Sequence, residues 1–255
     1  MTDGLAVSPE WAWGGATGSG VRVCIVDSGV VSGHPAVGRV HGSFTVEADG
    51  VEPCVVECEP EDLSGHGTAC AGIIRGLAPE CELYSVRVLG KNVSGSGNAL
   101  LAGLRWAIEQ KYDIVSLSLS TTHLRFVSEL RGLADDAYFG RTVLVTSAHN
   151  RTVESFPWRF SSVISVGSHQ EDDSELFLAN PRPPVDFFAP GQNISVAWFR
   201  GGRVNMTGNS FATPVIAGLC ARILSKHPAL TVTQLKSILY TTAANVFSAH
   251  EVTHA

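Results

Sequence analysis

Apolar positions along this chain fall into two alternating patterns. Short, nearly continuous apolar runs occur at residues 21–26, 83–88, 114–119, 142–146 and 163–166. Runs of this length without a polar face are the strands of a buried, parallel sheet. Between them lie segments with apolar residues at helical spacing. Residues 96–110 place Leu100, Leu101, Leu104, Ala107 and Ile108 on one face, and residues 124–139 do the same with Phe126, Leu130, Leu133 and Ala137. Strands alternating with amphipathic helices predict an α/β fold, a mostly parallel central sheet with helices on its faces. The apolar stripes on those helices are read as core and not as cofactor boxes.

Toward the C-terminus the pattern shortens. Residues 185–187 and 194–197 read as brief strands, and Asn205-Met206-Thr207-Gly208 leads into a helix that carries the apolar run 215–224. Thr231 with Gln234 makes a capping box for a last helix bearing Leu235, Ile238 and Leu239. Residues 47–62, polar and acidic, read as an irregular connection. No Pro/Gly/Ser-rich linker or shift in charge divides the 255 residues, which are expected to form one domain, residues 1–255.

Composition supports a packed domain: 44% hydrophobic and 16% charged residues suit a sizeable core and argue against disorder. A formal net charge of -6 disfavours nucleic acid or an anionic membrane as partner, since both reward clustered Lys and Arg. The first residues, Met1-Thr2-Asp3-Gly4, do not resemble a signal peptide, and no run reaches membrane-spanning length, so a cytoplasmic site is expected. The six cysteines, Cys24, Cys54, Cys58, Cys70, Cys81 and Cys220, are expected to be mainly reduced thiols. Cys54 and Cys58 lack a second ligand pair at zinc spacing and read as a surface loop or a local disulfide. No metal and no cofactor are expected.

Candidate chemistry begins at Gly208-Asn209-Ser210-Phe211-Ala212-Thr213-Pro214, where a serine stands at the start of a helix. Such a serine is either an N-cap or a nucleophile, and a nucleophile needs a base, an orienting carboxylate and an oxyanion donor. Asp27 ends the first strand, at the cleft edge of a parallel sheet, although an aspartate there also caps turns. His66 opens a helix between Gly65 and Gly67, which are expected to leave its ring accessible. Asn150, after the strand at 142–146, satisfies a loose backbone end or presents its amide to an oxyanion.

Together, Asp27-Ser28-Gly29, His66-Gly67-Thr68, Asn150 and Gly208-Asn209-Ser210-Phe211-Ala212-Thr213-Pro214 resemble the signature segments of the subtilisin-like serine proteases (subtilases, peptidase family S8). The order Asp, His, Ser is that of the family. The resemblance continues through residues 66–89, 113–119, 162–167, 185–191 and 208–244. It implies a three-layer subtilisin-like fold, with Ser210 as nucleophile and His66 as general base and then acid. Asp27 would orient the imidazole, and Asn150 would bind the oxyanion together with the backbone N–H of Ser210. The implied substrate is a peptide or protein, cleaved through an acyl-enzyme, and a pro-region or inhibitor outside this chain is a possible further partner.

Departures from the family pattern carry the specific expectations. Ser118-Leu119-Ser120 and Ser147-Ala148-His149 stand where family pocket walls have Ser-Leu-Gly and Ala-Ala-Gly, so Ser120 and His149 imply a smaller, polar or partly closed pocket. Glu154, Ser155 and Arg159 complete this pocket or are solvated loop residues. Residues near Ser118 and at 98–100 would pair with the substrate backbone. Only Arg75-Gly76-Leu77 separates Ile74 from Ala78, where many relatives have a longer calcium loop, so no calcium is expected there. The chain reads as trimmed after about residue 244. These features favour a serine endopeptidase restricted to processing a precursor; the alternatives are a peptide ligase or macrocyclase, and an inactive peptide-binding pseudoprotease.

Overall fold

The computed structural model describes residues 7–47, 52–171 and 173–247. Its elements are α1 (Pro9–Trp13), β1 (Arg22–Asp27), β2 (Val40–Glu47), β3 (Cys54–Glu57), α2 (His66–Leu77), β4 (Glu82–Arg87), α3 (Gly97–Glu109), β5 (Ile114–Leu117), α4 (Val127–Phe139), β6 (Val143–Ser147), β7 (Ile164–His169), β8 (Leu178–Ala179), β9 (Phe187–Pro190), β10 (Ile194–Ala197), β11 (Arg203–Met206), α5 (Asn209–Lys226) and α6 (Val232–Thr242). A 3-10 turn at Leu124–Phe126 precedes α4.

The apolar run that becomes β1 is buried at five of its six residues and forms the middle of the sheet. The order is β3-β2-β4-β1-β5-β6-β7-β9-β8, parallel except for β3 and β8 at the two edges. After β1 the chain builds one side of the sheet and returns through β4; β5 then pairs on the other side of β1. The direction of winding therefore reverses at β1. Such a reversal opens a crevice at the carboxyl ends of the strands, and Asp27 is the last residue of β1.

Two cores flank the sheet, as expected for a three-layer arrangement. One gathers α1, α2, α5 and α6 through residues such as Ile74, Ile216, Leu219 and Leu239; the other gathers α3 and α4 through Leu104, Leu130 and Leu133. Helix α5 is buried at thirteen of its eighteen residues, because it runs through the middle of its layer and contacts neighbours all round. The capping box at Thr231 and Gln234 forms and starts α6.

The polar stretch expected to be irregular is structured in part. β2 and β3 form an antiparallel pair at the sheet's edge, and residues 48–51 lie outside the described residues. β2 fully buries only Ser43 of its eight residues, although Val40, Phe44 and Val46 alternate with polar His41, Ser43, Thr45 and Glu47, a period-two strand signal just ahead of the acidic stretch. Likewise β11, read as a lead-in to the serine helix, pairs with β10 as a hairpin. The tail beyond residue 247, to which the expected trimming applies, lies outside the described residues.

Where a longer loop is the family alternative, α2 runs without interruption through Arg75. Its guanidinium donates to four backbone carbonyls: Nε to Val37 (2.8 Å), Nη1 to Pro79 (2.7 Å) and Cys81 (2.8 Å), and Nη2 to Arg39 (3.2 Å). The chain's own cation thus ties the end of α2 to the approach to β2 and to the turn before β4. Arg75→Ala leaves these carbonyls without their charged donor, and is expected to lower stability by about 3 kcal/mol. Urea unfolding should show a lower midpoint at an unchanged slope.

Candidate active site

The carboxylate of Asp27 is 1% exposed and faces the first residue of α2. His66 Nδ1 lies 2.8 Å from Oδ1 and 2.9 Å from Oδ2 of Asp27. Asp27 Oδ1 also accepts the backbone N–H of Ser28 at 2.7 Å. An ionised carboxylate only accepts, so this contact places the imidazole proton on Nδ1 and leaves the Nε2 lone pair free. Burial pulls the His66 pKa down, but the charge and hydrogen bond of Asp27, with the charge of Asp62, push it up further, so that it lies above the usual 6.5.

The N-terminus of α2 is held by residues that the sequence alone did not single out. Asp62, buried, accepts from Ser28 Oγ (2.8 Å), from the N–H of Ser64 (3.0 Å) and Gly65 (2.7 Å), and through its second oxygen from the N–H of Thr68 (2.8 Å). Ser28 Oγ accepts the N–H of Gly67 at 3.1 Å. These bonds satisfy free N–H groups of the helix start and fix the ring of His66 over Asp27. An aspartate just before a Ser-Gly turn is the only sequence signal for this anchor. Gly67 serves close approach more than ring access: a Cβ there would lie 2.1 Å from the carbonyl oxygen of Gly29.

Ser210 is the second residue of α5, and Gly208 occupies the N-cap position. The serine hydroxyl is therefore not the cap. Neither Ser210 Oγ nor His66 Nε2 has a hydrogen-bond partner among the described residues, and both belong to helices that meet here. The His66 and Phe211 rings are 5.2 Å apart, and Cys70 Sγ, one turn along α2, is 3.6 Å from the carbonyl oxygen of Ser210. That carbonyl is open because Pro214, four residues on, has no N–H to return to it. Burial, followed by the charge of Asp27, raises the Cys70 pKa well above its usual value, so this thiol is neutral packing beneath the site. Atoms of Asp27, His66 and Cys70 lie within 4.8 Å of one another, but the carboxylate and imidazole are already committed to each other.

Asn150 is held in one orientation. Its Oδ1 accepts the backbone N–H of Asn209 at 2.9 Å, which directs Nδ2 the other way. A point one bond from the Gly208 Cα, where a Cβ would stand, is 3.2 Å from Ser210 Oγ and 3.5 Å from Asn150 Nδ2. A side chain at 208 would fill the space that the hydroxyl and the amide share. Asn209, also missed in the sequence, fastens this corner: Oδ1 accepts from the N–H (2.9 Å) and Oγ (2.8 Å) of Ser168, while Nδ2 donates to the carbonyls of Ala148 (3.2 Å) and His149 (3.3 Å). Asp27, His66, Asn150 and Ser210, scattered over the sequence, are thus linked by neighbouring contacts where α2 meets the start of α5.

The expected pocket residues divide by orientation. Leu119, Ser120 and His149 line a groove of about 410 Å³. The side chains added at 120 and 149 line this groove without filling it. Ala148 and His149 also border a second cavity, of about 490 Å³, with Glu154 and Arg159, whose charged ends are 3.9 Å apart. Ser118 and Ser147 turn their side chains inward, Ser118 Oγ beside Cys70 Sγ at 3.6 Å and Ser147 Oγ donating to the Ala148 carbonyl, so neither offers its hydroxyl to the groove. Ser155 is fully buried and accepts from Trp158 Nε1. Residues 98–100 lie in the first turn of α3, where the backbone is committed to the helix and cannot act as a strand. Leu100 still lines the groove from the helix, and the extended backbone bordering it on that side is Ser94-Gly95-Ser96.

Comparison with known proteins agrees with this geometry. The profile of the subtilase family matches residues 18–254. Subtilisin DY of Bacillus licheniformis is 28% identical over 247 residues, covering 91% of this chain and 86% of its own length. Subtilisin E of Bacillus subtilis (strain 168) is 31% identical over 244 residues, which are 90% of this chain but 62% of that protein. Among solved structures, a cold-adapted subtilisin-like serine proteinase superposes with a TM-score of 0.72 at 25% identity, covering 91% of this chain and 87% of that one. Sphericase shares the fold, with a TM-score of 0.71 at 23% identity over 88% of this chain and 84% of its own.

Proposed function

Since this chain belongs to the subtilase family and is a serine endopeptidase, we propose that Ser210, His66, Asp27 and Asn150 carry its chemistry and that it makes restricted cuts in a peptide or protein precursor. The observation that carries the first part is the buried Asp27–His66 contact, which engages Nδ1 and leaves Nε2 without a partner among the described residues, beside the first turn of α5. Ser210 Oγ attacks the scissile carbonyl carbon while His66 Nε2 takes its proton. The carbonyl oxygen becomes an oxyanion in the space beside Gly208, where Asn150 Nδ2 and the N–H of Ser210 donate to it. Collapse breaks the C–N bond, and His66 returns the proton to the departing amine. Water, deprotonated by the same imidazole, then releases the acyl group as the new carboxylate.

The groove supports the second part. Ser120 and His149 place side chains where family members have bare backbone, so a substrate must accommodate a polar wall. All six cysteines are free thiols, which suits a reducing compartment and an intracellular precursor. The experiment is a proteome-derived peptide library together with an unfolded protein substrate. A short set of cut sites sharing side-chain features supports restricted processing. Rapid cleavage at many unrelated sites sinks it.

The charge environment of His66 predicts the pH profile. The base must be neutral to take the proton from Ser210, and its pKa lies above 6.5. Activity should therefore fall on acidification, with the acid limb of kcat/KM centred above 6.5. A limb at or below that value, measured with a substrate that does not titrate, would contradict the proposed coupling of Asp27 to His66.

A further inference from the structure

The groove beside His149 carries a charge pattern at odds with the rest of the molecule. The protein is acidic, with a formal net charge of -6, yet the groove is lined by Arg125, His123 and His149 and by no carboxylate. Arg125 makes no ion pair or hydrogen bond among the described residues. Its guanidinium lies 4.5 Å from the centre of the Phe126 ring, and the ring of His123 meets Phe126 edge-on at 6.3 Å. Phe126 is buried and so supports both polar groups from below. Gly97 makes room for this support, since a Cβ there would collide with the Phe126 ring. Val93, 48% exposed, borders the groove, and Leu124, 66% exposed, stands in the chain between His123 and Arg125.

An unpaired guanidinium on an aromatic support, with imidazoles nearby and apolar surface around it, suits a carboxylate carried on an extended chain. We propose that this groove selects peptides with an acidic side chain upstream of the scissile bond, and that Arg125, with His123, determines this specificity. The inference rests on the reading of Ser210 as nucleophile and of the 119–120 and 149 walls as the acyl side of the substrate. Glu or Asp in this groove gains a cationic partner that the uncharged amide isostere lacks. The partner is exposed, so the gain is modest and sensitive to salt.

The test uses peptide sets that differ only by Glu, Gln or Lys at each of the four positions before a cut site. For the parent enzyme, kcat/KM at one of those positions should favour Glu over Gln by about five-fold at low salt and much less at about 0.5 M salt. Arg125→Gln should remove the ratio, and Arg125→Glu should reverse it in favour of Lys. Anisotropy of the same labelled peptides on Ser210→Ala reads the groove without turnover and should give the same order. Equal Glu:Gln ratios in the parent and Arg125→Gln, in turnover and in binding, overturn the inference. A binding preference that follows Arg125 in a protein whose Ser210 takes up no fluorophosphonate would uphold the groove and remove the nucleophile.

Discussion

Ser210→Ala should lower kcat by about a million-fold, roughly 8 kcal/mol in barrier, with little loss of peptide binding. The hydroxyl is half-buried and has no hydrogen bond among the described residues, so its removal leaves no orphaned partner in the resting protein. Alanine also suits the first turn of α5, where Gly208 provides the N-cap. The loss is therefore chemical, not structural. His66→Ala should cost about as much, and the double variant no more than either single one, because base and nucleophile act as a unit. Intact mass after treatment with a fluorophosphonate checks the same point: one adduct on the parent and none on Ser210→Ala. An adduct on both variants would place the reactive hydroxyl elsewhere.

Asp27→Asn should lower kcat by about ten thousand-fold while the protein remains folded. Oδ1 of Asp27 accepts the N–H of Ser28, so in the variant the oxygen of the amide stays at this position and the NH₂ takes the place of Oδ2, 2.9 Å from His66 Nδ1. That NH₂ donates to Nδ1 and drives the imidazole proton to Nε2. The nitrogen facing Ser210 then carries a hydrogen and cannot act as a base. The lost carboxylate also removes the charge that raises the His66 pKa, so the residual activity should have its acid limb at lower pH than the parent. Unchanged kcat in Asp27→Asn, or an acid limb that does not move, would separate His66 from Asp27 as a working pair. Circular dichroism and urea unfolding distinguish this loss from misfolding.

Much of the candidate site was legible in the sequence because its residues stand in short local motifs. The strand ending in Asp27, the glycines around His66 and the serine before an apolar helix are each contiguous signals, and their order carried the family resemblance. Periodicity likewise marked the elements that bury a face, from β1 to α6. Period-two alternation, however, does not say which face of a strand meets the core until the neighbours are known. Ser118 and Ser147, expected in the pocket wall, turn inward for this reason. β3 buries none of its four residues and so carries no core pattern, and residues 98–100, expected both in a helix and along the substrate backbone, lie in the first turn of the helix that Ser96 caps, where only the first expectation can hold.

From the sequence by itself came the α/β class, most of the elements and the four candidate groups, since hydrophobic period and short motifs are properties of neighbours along the chain. Only the tertiary structure decided how those groups are held and what lies around them. Asp62 reaches Ser28 across 34 positions, Asn209 fastens segments about 60 and 41 positions away, and Arg75 reaches the carbonyls of Val37 and Arg39 across 38 and 36. These contacts exist once the sheet order has brought the carboxyl ends of its strands together. Residues bonded across such separations leave no periodic mark in the sequence, because it is the fold that makes them neighbours.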